Sequence, residues 1–364
     1  MKDKIKDIIL IILFLIIVIV GFVLNVAERD KEISISERRK LKQLPEIEKI
    51  FDGNYSDEFE KYAADQFINR DYFRNIKEKV HFNILKQNDN NGLFINDGSV
   101  YKQTGLLNEK EVKKATNKFK NIKDKFLDDS NNVYYSIVPD KNYYLDDNKL
   151  NMDYKKLEEI MNQNLDDSMK YIEIFSLLNK DDFYKTDTHW KQENLGKVAN
   201  KLLDGLNTGK ILTIENIETK GEFLGVYGSQ LVGSNNMKDS LKYITNETIN
   251  MASTFNFETN KEEKIYDENK WKTSNDKYDY FVSGASPLIE IRNNLNKDGK
   301  ELVIFRDSFG SSIAPLLLEG YSKIILVDLR YISSNYLGQF VDFKGKDVLF
   351  LHSTLILNES SILK

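Results

Sequence analysis

The sequence contains no cysteine and only three histidines, His81, His189 and His352. Without cysteine the chain cannot form disulfides, bind a metal through thiolates or use a thiolate nucleophile. Three histidines are too few for a typical multi-histidine metal site, and we expect neither a metal nor another cofactor. Because a general base at neutral pH is most often histidine, the same scarcity leaves few residues for that role.

The chain also lacks an excess of positive charge. It carries 52 Lys and Arg against 57 Asp and Glu, for a net charge of -5. Proteins that bind nucleic acids usually present a basic surface that neutralises phosphates, so the composition argues against a nucleic-acid partner. Hydrophobic residues make up 41% of 364 residues, which is ample for one large domain or two smaller ones.

One long apolar run is present, and it lies at the N-terminus. Residues 8–24 read IILIILFLIIVIVGFVL, just long enough to span a bilayer as a helix at about 1.5 Å per residue. A buried core helix usually keeps a polar face, and this run has none. Because the run is longer than a typical signal-peptide core and no small-x-small cleavage site follows, we favour a retained anchor over a cleaved signal.

The flanking charges do not fix the orientation of this anchor. Three lysines precede the run, but six basic residues follow it within residues 29–42. The positive-inside rule alone therefore does not place the large domain outside the cell. We divide the chain into an anchor (1–27), a charged juxtamembrane linker (28–50) and one large domain (51–364).

Most of the large domain alternates between strand and helix patterns. After a helical region at 51–88 and a hairpin near 93–101, the predicted strands are 133–138, 171–175, 302–305, 323–328 and 347–351. The predicted helices are 109–127, 154–168, 191–206 and 311–318. This order indicates an α/β fold with a buried, mostly parallel sheet covered on both faces. Residues 208–285 interrupt the alternation, and we interpret them as a β-rich insertion.

The first motif with chemical content is Tyr-Lys-Thr-Asp-Thr-His-Trp at 184–190. An aspartate two residues before a histidine can place its carboxylate against the imidazole Nδ1. Asp187 would then fix the tautomer of His189 and leave its Nε2 free to act as a base. The alternative is a plain helix-entry loop with a packed tryptophan.

The second motif is Phe-Arg-Asp-Ser-Phe-Gly-Ser at 305–311, between a predicted strand and a helix. A serine at such a turn is exposed at the carboxyl end of the sheet, where backbone N–H groups can bind an oxyanion. Ser308 is therefore a candidate nucleophile, although an Asp-Ser helix cap is the alternative. The two motifs complement each other at the sheet edge where open α/β folds carry their sites. His352 follows a strand and is a competing base, whereas His81 is expected to pack or lie on the surface.

These residues carry a resemblance to the DHHW proteins and the related alginate O-acetyltransferase family, members of the SGNH-hydrolase-like superfamily. The resemblance covers the apolar run, the aromatic helical region and four motifs. The motifs are Val-Pro-Asp-Lys at 138–141, Thr-Asp-Thr-His-Trp at 186–190, Arg-Asp-Ser-Phe-Gly at 306–310 and Val-Asp-Leu-Arg-Tyr at 327–331. The histidine motif precedes the serine motif, as in the alginate-type enzymes and in reverse of ordinary SGNH enzymes. The chain departs from the pattern at the second position of the family name, where Thr188 stands in place of a histidine.

The resemblance implies a three-layer SGNH-hydrolase-like fold with Ser308 as nucleophile, His189 as general base and Asp187 as the residue that orients it. It also implies an acetyl-serine intermediate, a polysaccharide hydroxyl as acceptor, and a multi-spanning membrane acyltransferase as the source of acetyl groups. The large domain would then lie outside the cell on a single-pass anchor. The glycine and asparagine oxyanion donors of common SGNH enzymes find no match here, so only the Ser308 backbone is assigned to that role.

Other functions fit the same residues. The acyl-enzyme could react with water, which makes the chain an acetyl-esterase, or the chain could be a non-catalytic scaffold for glycan assembly in the envelope. Four further residues are candidates for binding an anionic glycan, namely Lys141, Arg306, Arg330 and Tyr331. For the three basic ones the alternative is a structural ion pair.

Overall fold

The computed structural model describes residues 2–34, 39–46, 53–145, 151–165, 169–231 and 237–364. Parts of the predicted linker, the start of the region 51–88 and the end of the predicted helix 154–168 lie outside the described residues. The chain forms two compact units. The first comprises Met1–Asn90 with Ser229–Gly233, and the second comprises Asn91–Gly228 with Ser234–Lys364.

The first unit is mainly helical. Its elements are α1 (Lys2–Ala27), β1 (Ile33–Ser34), β2 (Arg39–Lys40), α2 (Tyr55–Asp65), α3 (Arg70–Lys79) and a π-helical turn at Val80–Ile84. The segment Lys4–Ala27 of α1 is long and apolar enough to cross a membrane. Beyond α1, the Asp65 carboxylate ties the unit together by accepting hydrogen bonds from the Arg39 side chain and the Lys42 backbone N–H. Arg39 is the main reason that the pKa of Asp65 is lowered to about 2.

The second unit contains the α/β fold. Its strands are β3 (Leu93–Asn96), β4 (Ser99–Lys102), β5 (Val133–Val138), β6 (Met169–Tyr171), β7 (Asn216–Phe223), β8 (Asp239–Thr245), β9 (Ser253–Asn256), β10 (Lys261–Glu263), β11 (Leu288–Arg292), β12 (Glu301–Arg306), β13 (Lys323–Val327) and β14 (Asp347–Ser353). Its helices are α4 (Glu109–Phe126), α5 (Tyr154–Asn164), α6 (Gly196–Gly205), α8 (Glu247–Met251), α9 (Glu268–Thr273), α10 (Phe309–Ile313) and α11 (Thr354–Leu357). The short helix α7 (Val226–Gln230) begins in the second unit, and its last two residues belong to the first.

The main sheet has eight strands in the order β10-β9-β11-β13-β12-β14-β5-β6. The five strands from β13 to β6 run parallel to one another, and β11, β9 and β10 extend the sheet in antiparallel pairs. The prediction of a mostly parallel sheet in an α/β fold is thus confirmed. Because β5, β14, β12 and β13 are parallel neighbours, their carboxyl ends all meet at one edge, and the loops that follow them emerge there.

The sheet is buried on both faces, which is why its central strands read as continuous apolar runs. Alternate residues of β12 point to opposite sides: Leu302 and Ile304 join one hydrophobic cluster, and Val303 and Phe305 join the other. The first cluster includes residues of α6 and α10, and the second includes residues of α4 and α5. Helices therefore cover each face of the sheet and form three layers.

Several predicted boundaries differ from the structure. β6 spans only Met169–Tyr171. Ile172 still donates its N–H to the Tyr135 carbonyl at 2.9 Å, and the chain then leaves the ladder, with Ile174 and Phe175 buried in the core. The predicted helix 311–318 is α10 followed by the 3₁₀ segment Ala314–Gly320, in which Pro315 lacks a backbone donor. Within residues 208–285, β7 and β8 form a separate ribbon, whereas β9 and β10 add strands to the main sheet.

Candidate active site

Ser308 lies on the tight turn between β12 and α10. The Asp307 carboxylate holds this turn, since it accepts a hydrogen bond from the Phe309 N–H at 3.0 Å and one from the Ser353 N–H, at the end of β14, at 2.7 Å. A Cβ on Gly310 would lie 2.5 Å from the Arg306 Cβ, so glycine permits the helix to begin directly on the strand. The result is a fixed, half-buried serine at the carboxyl edge of the sheet.

His189 and Asp187 lie on a closed loop that precedes α6. An antiparallel bridge between Phe183 and Trp190 closes the base of the loop. Just inside it, the Tyr184 N–H donates to the His189 carbonyl at 3.0 Å. Trp190 is fully buried, which anchors the side of the loop that carries the histidine.

The structure brings the three predicted side chains together. His189 Nε2 lies 2.7 Å from Ser308 Oγ, and His189 Nδ1 lies 2.6 Å from Asp187 Oδ1. Both are hydrogen-bond distances, and the one to the carboxylate is short for an N–H···O bond. Asp187 is fully buried and His189 is 5% exposed. The geometry can pass a proton from the serine hydroxyl to the imidazole while the carboxylate stabilises the imidazolium.

The Asp187 carboxylate is held by backbone as well as by the imidazole. Its Oδ1 also accepts the His189 N–H at 3.1 Å, and its Oδ2 accepts the Val226 N–H at 2.8 Å. Gly225 makes this approach feasible, because a Cβ there would lie 2.4 Å from the Thr186 carbonyl oxygen. The carboxylate is thus fixed from two sides, and its orientation does not depend on the imidazole alone.

The His189 ring packs against Tyr278. The two ring centroids lie 3.7 Å apart with the planes 6° from parallel. The Tyr278 hydroxyl donates to Ser312 Oγ at 2.6 Å, and Trp190 Nε1 donates to the same oxygen at 2.8 Å. Ser312 therefore holds Tyr278, which stacks on the imidazole, and Trp190, the next residue in the chain. Phe309 lies on the imidazole at a ring-centroid distance of 5.0 Å, so packing sets the ring plane of His189.

Two buried charges of opposite sign hold the loop backbone around Asp187. Asp239, on β8, accepts hydrogen bonds from the backbone N–H groups of Lys185 and Thr186 at 2.8 and 2.7 Å. Lys141 donates from Nζ to three carbonyls, those of Tyr184, Lys185 and Asp187, at 3.1, 3.3 and 2.8 Å. Asp239 thus accepts two backbone N–H groups of this short loop, and Lys141 donates to three of its carbonyls.

We expect Lys141→Met to lower by about 10²-fold any activity that depends on Ser308, His189 and Asp187, the loss typical of a misplacement of catalytic groups by about 1 Å. Burial is the main reason that the pKa of Lys141 is lowered to about 7. Its protonated form, with three N–H donors for three carbonyls, is therefore lost as pH rises through 7, whereas in the unfolded chain it persists to about 10.4. We therefore expect the activity of the wild type to fall as the pH rises above about 7.

The rate measured from pH 5.5 to 9 tests this prediction, and Lys185→Met, the same change at an exposed position of the same loop, is the control. Lys141→Met should be slow at every pH in this range, and its rate should not fall above pH 7. An unchanged rate in Lys141→Met at pH 6 would contradict a positioning role for Lys141.

The two predicted arginines converge on Asp328. Arg330 binds it through Nε and one terminal nitrogen at 2.9 and 2.6 Å, and the fully buried Arg306 lies 3.5 Å from it. Arg306 also donates to the Gly284 carbonyl at 3.0 Å. Arg306 and Asp328 are fully buried, whereas the Arg330 side chain is 19% exposed. The fourth candidate, Tyr331, is half-exposed.

Neither of the other two histidines takes part in the hydrogen bonds that join Ser308, His189 and Asp187. His81 belongs to the first unit, in the π-helical turn Val80–Ile84. His352, on β14, follows Phe350 on the α4 side of the sheet and lies 5.1 Å from the Phe119 ring centroid. Within the described part of the chain, neither ring nitrogen of His352 has a hydrogen-bond partner. Burial lowers its pKa to about 4.

His352→Leu should preserve activity at pH 7 and should make the fold more resistant to acid. The unfolded chain binds a proton at this histidine as pH falls below 6.5, whereas the folded chain does so only near pH 4, so folding stability is lost across that window. At about 1.4 kcal/mol per pH unit, the loss in the wild type amounts to about 3 kcal/mol. Denaturation followed by the fluorescence of the two tryptophans, Trp190 and Trp271, at pH 7 and 4.5 measures this loss, and an equal loss in both proteins would contradict it.

Sequence reasoning missed Tyr278, Asp239 and the backbone of Val226. All three lie in the region 208–285, where the chain shows no motif and the contacts to the Asp187 loop span 39 or more positions. Among the described residues, no group of three or more His, Asp or Glu side chains is arranged to hold a metal ion.

Fold and geometry together define an α/β protein with a serine, a histidine and an aspartate hydrogen-bonded in series at the carboxyl edge of a mostly parallel sheet. The DHHW protein family model matches residues 140–327, more than half of the 364 residues. The chain therefore belongs to the DHHW protein family.

Two solved protein structures are similar to this chain. A DHHW family protein from Eubacterium siraeum is 21% identical with a TM-score of 0.61, and the match covers 75% of this chain and 94% of that one. Bacillus cereus PatB1, solved with a sulfonyl adduct, is 16% identical with a TM-score of 0.56, over 73% of this chain and 97% of PatB1. At these identities the likeness establishes the fold. No curated protein sequence matches the chain significantly.

Proposed function

We propose that the protein is a serine-dependent O-acyltransferase that acetylates a cell-surface or exported polysaccharide. The observation that carries the proposal is the series of contacts from Ser308 Oγ through His189 to Asp187, at 2.7 and 2.6 Å. In other folds the same arrangement activates a serine for acyl transfer. Membership of the DHHW family adds support for an enzyme of the SGNH-like kind.

The reaction proceeds in two half-reactions. His189 Nε2 takes the proton from Ser308 as its Oγ attacks the acetyl carbonyl, and the imidazolium returns that proton to the leaving group of the donor. The acetyl group is then bound to Ser308 as an ester. In the second half, His189 takes the proton of a sugar hydroxyl, the sugar oxygen attacks the ester, and Ser308 recovers its proton.

The backbone N–H of Ser308 is our candidate for binding the oxyanion in both half-reactions. The next two N–H groups of the turn, those of Phe309 and Gly310, already donate to Asp307. An oxyanion donor removed from a site typically costs about 10²–10³-fold in rate. A backbone donor on a turn fixed by Asp307 requires no rearrangement during the reaction.

For the acceptor glycan, we assign Arg330 and Tyr331 as binding residues. Arg330 follows β13, the parallel neighbour of the strand that leads to Ser308, and it retains exposed surface while bound to Asp328. Its guanidinium lies 5.4 Å from the Tyr331 ring centroid. By contrast, Lys141 and Arg306 are buried, and we assign them the task of holding the loops.

The helix α1 supports a cellular location for this reaction. We propose that it is a retained single-pass anchor and that the catalytic domain lies outside the cell. Acetyl groups are made in the cytoplasm, so a multi-spanning membrane acyltransferase would pass them across to Ser308.

A partition experiment tests the transferase against the esterase. The full chain in detergent is given an activated acetyl ester, with and without candidate oligosaccharides, and released acetate and acetylated sugar are both quantified. A transferase forms acetylated sugar in proportion to the acceptor at the expense of acetate. Acetate alone with every glycan would favour the esterase, and no turnover by a protein with intact fold would favour the scaffold. Because PatB1 carries a sulfonyl adduct, sulfonyl fluorides are suitable inhibitors to compare.

A further inference from the structure

The first unit exposes a group of large apolar side chains that its own core does not use. Four of them are Phe67, Tyr72, Phe73 and Ile76, which are 47%, 63%, 50% and 42% exposed. The three aromatic rings contact one another. The Phe73 ring centroid lies 5.4 Å from that of Phe67 and 5.8 Å from that of Tyr72, and both pairs are edge to face. We call these four residues the aromatic surface. Exposed apolar clusters of this kind mark interaction sites.

A hydrogen bond joins the aromatic surface to the end of α1. The Ile68 N–H, next to Phe67 in the chain, donates to the Asn25 side-chain oxygen at 2.7 Å. Asn25 directly follows the apolar run 8–24. The aromatic surface is therefore tied to the level at which a membrane-spanning α1 leaves the hydrocarbon core.

The residues of α3 are of the types found at the boundary between the hydrocarbon core and the lipid headgroups. Aromatic residues are enriched where hydrocarbon meets headgroups, because one side of the ring is apolar and the polar tip reaches water. Tyr72 has such a hydroxyl tip. In addition, α3 carries the basic residues Arg70, Arg74, Lys77 and Lys79. Arg70 and Arg74 form ion pairs with Asp65 and Asp71 at 3.8 and 3.0 Å, whereas Lys77 and Lys79 are exposed. Long basic side chains cover apolar surface with their stems and place their charges among lipid phosphates.

We propose that the aromatic surface lies in the interface of the bilayer that α1 spans, with phospholipid as its occupant. In the first unit, α3 then lies on the membrane surface and α1 crosses the bilayer. This inference goes beyond acyl transfer and rests on α1 as a retained anchor. A second copy of the chain is the competing occupant, but a protein interface of this kind would not require the hydrogen bond to the end of α1 or the basic residues beside the rings.

The absence of cysteine permits a clean test with single labels. Full chains carrying Phe73→Cys, Phe14→Cys or Lys61→Cys are labelled with an environment-sensitive fluorophore and placed in lipid nanodiscs. The lipids carry plain acyl chains, chains brominated near the headgroup, or chains brominated near the methyl end, which lies at the bilayer centre. Phe14 lies in the middle of α1, and Lys61, 58% exposed on α2, is the matched position in the same unit.

We expect brominated lipid to quench the label at 73 by about twofold or more, because an interfacial helix buries its apolar face about 5–10 Å into the headgroup region. The label at 14 should be quenched by lipid brominated near the methyl end, and the label at 61 should be quenched by neither lipid. The inference is overturned if the label at 73 behaves like that at 61, or if its emission shifts to the blue without bromine quenching, which would indicate a protein partner. An unquenched label at 14 also overturns it, because α1 then does not span. Fluorophosphonate reaction at Ser308 in the same samples reports the acyl-transfer site separately.

Discussion

Ser308→Ala is expected to lower acyl transfer by at least about 10⁴-fold without changing the fold, as loss of the nucleophile does in other serine enzymes. The only side-chain hydrogen bond that the structure shows for Ser308 within the described residues is to His189. Its removal leaves the Asp307 cap intact, because that cap depends on the carboxylate of Asp307 and backbone N–H groups.

Ser311→Ala is the matched control for this variant. Ser311 lies three residues later on the same short helix, and its hydroxyl has no hydrogen-bond partner among the described residues. The acetyl-ester turnover of both variants is measured against the wild type. Comparable turnover in Ser308→Ala and Ser311→Ala would rule out Ser308 as the nucleophile.

Asp187→Asn has the second largest expected effect, a loss of about 10⁴-fold in kcat, the loss seen when the orienting aspartate of a serine triad is replaced by asparagine. The carboxylate has two oxygens, one for His189 and one for the Val226 N–H. Asparagine has a single oxygen. If that oxygen stays with Val226, the amide group points at His189 Nδ1 and selects the tautomer whose Nε2 bears the proton.

Such a histidine cannot accept the proton of Ser308, so kcat should fall while KM for the acetyl donor changes little. Asp181→Asn, an exposed position on the same segment, controls for the change in charge. A loss of kcat below about tenfold would show that Asp187 does not select the tautomer of His189.

The sequence predicts the three side chains because their relation is local. Asp187 and His189 are two residues apart, so the chain itself limits how far the carboxylate can lie from the imidazole. Ser308 follows a strand whose apolar run is plain, and the parallel order of the strands brings its carboxyl end to the edge where the site lies. Local spacing and strand polarity thus carry most of the information about the site.

The support around the site could not be predicted, because it comes from distant segments with no pattern of their own. Tyr278 stacks on His189 across 89 positions of sequence, and Asp239 reaches Thr186 from the β7–β8 ribbon. Lys141 belongs to the Val-Pro-Asp-Lys motif at 138–141. A lysine in a sequence can bind a glycan or donate to backbone carbonyls, and the residue type alone does not distinguish these roles. Burial decides between them, and burial depends on the packing of the whole unit.

Covalent labelling of Ser308 tests the central claim most directly. The full chain, its His189→Ala variant and its Ser311→Ala variant are incubated with a fluorophosphonate, digested and analysed by mass spectrometry. The account predicts that the peptide with Ser308 gains the mass of the probe in the wild type and in Ser311→Ala, and that labelling slows by orders of magnitude in His189→Ala. An unlabelled Ser308 in folded wild-type protein, or equally fast labelling without His189, would contradict it.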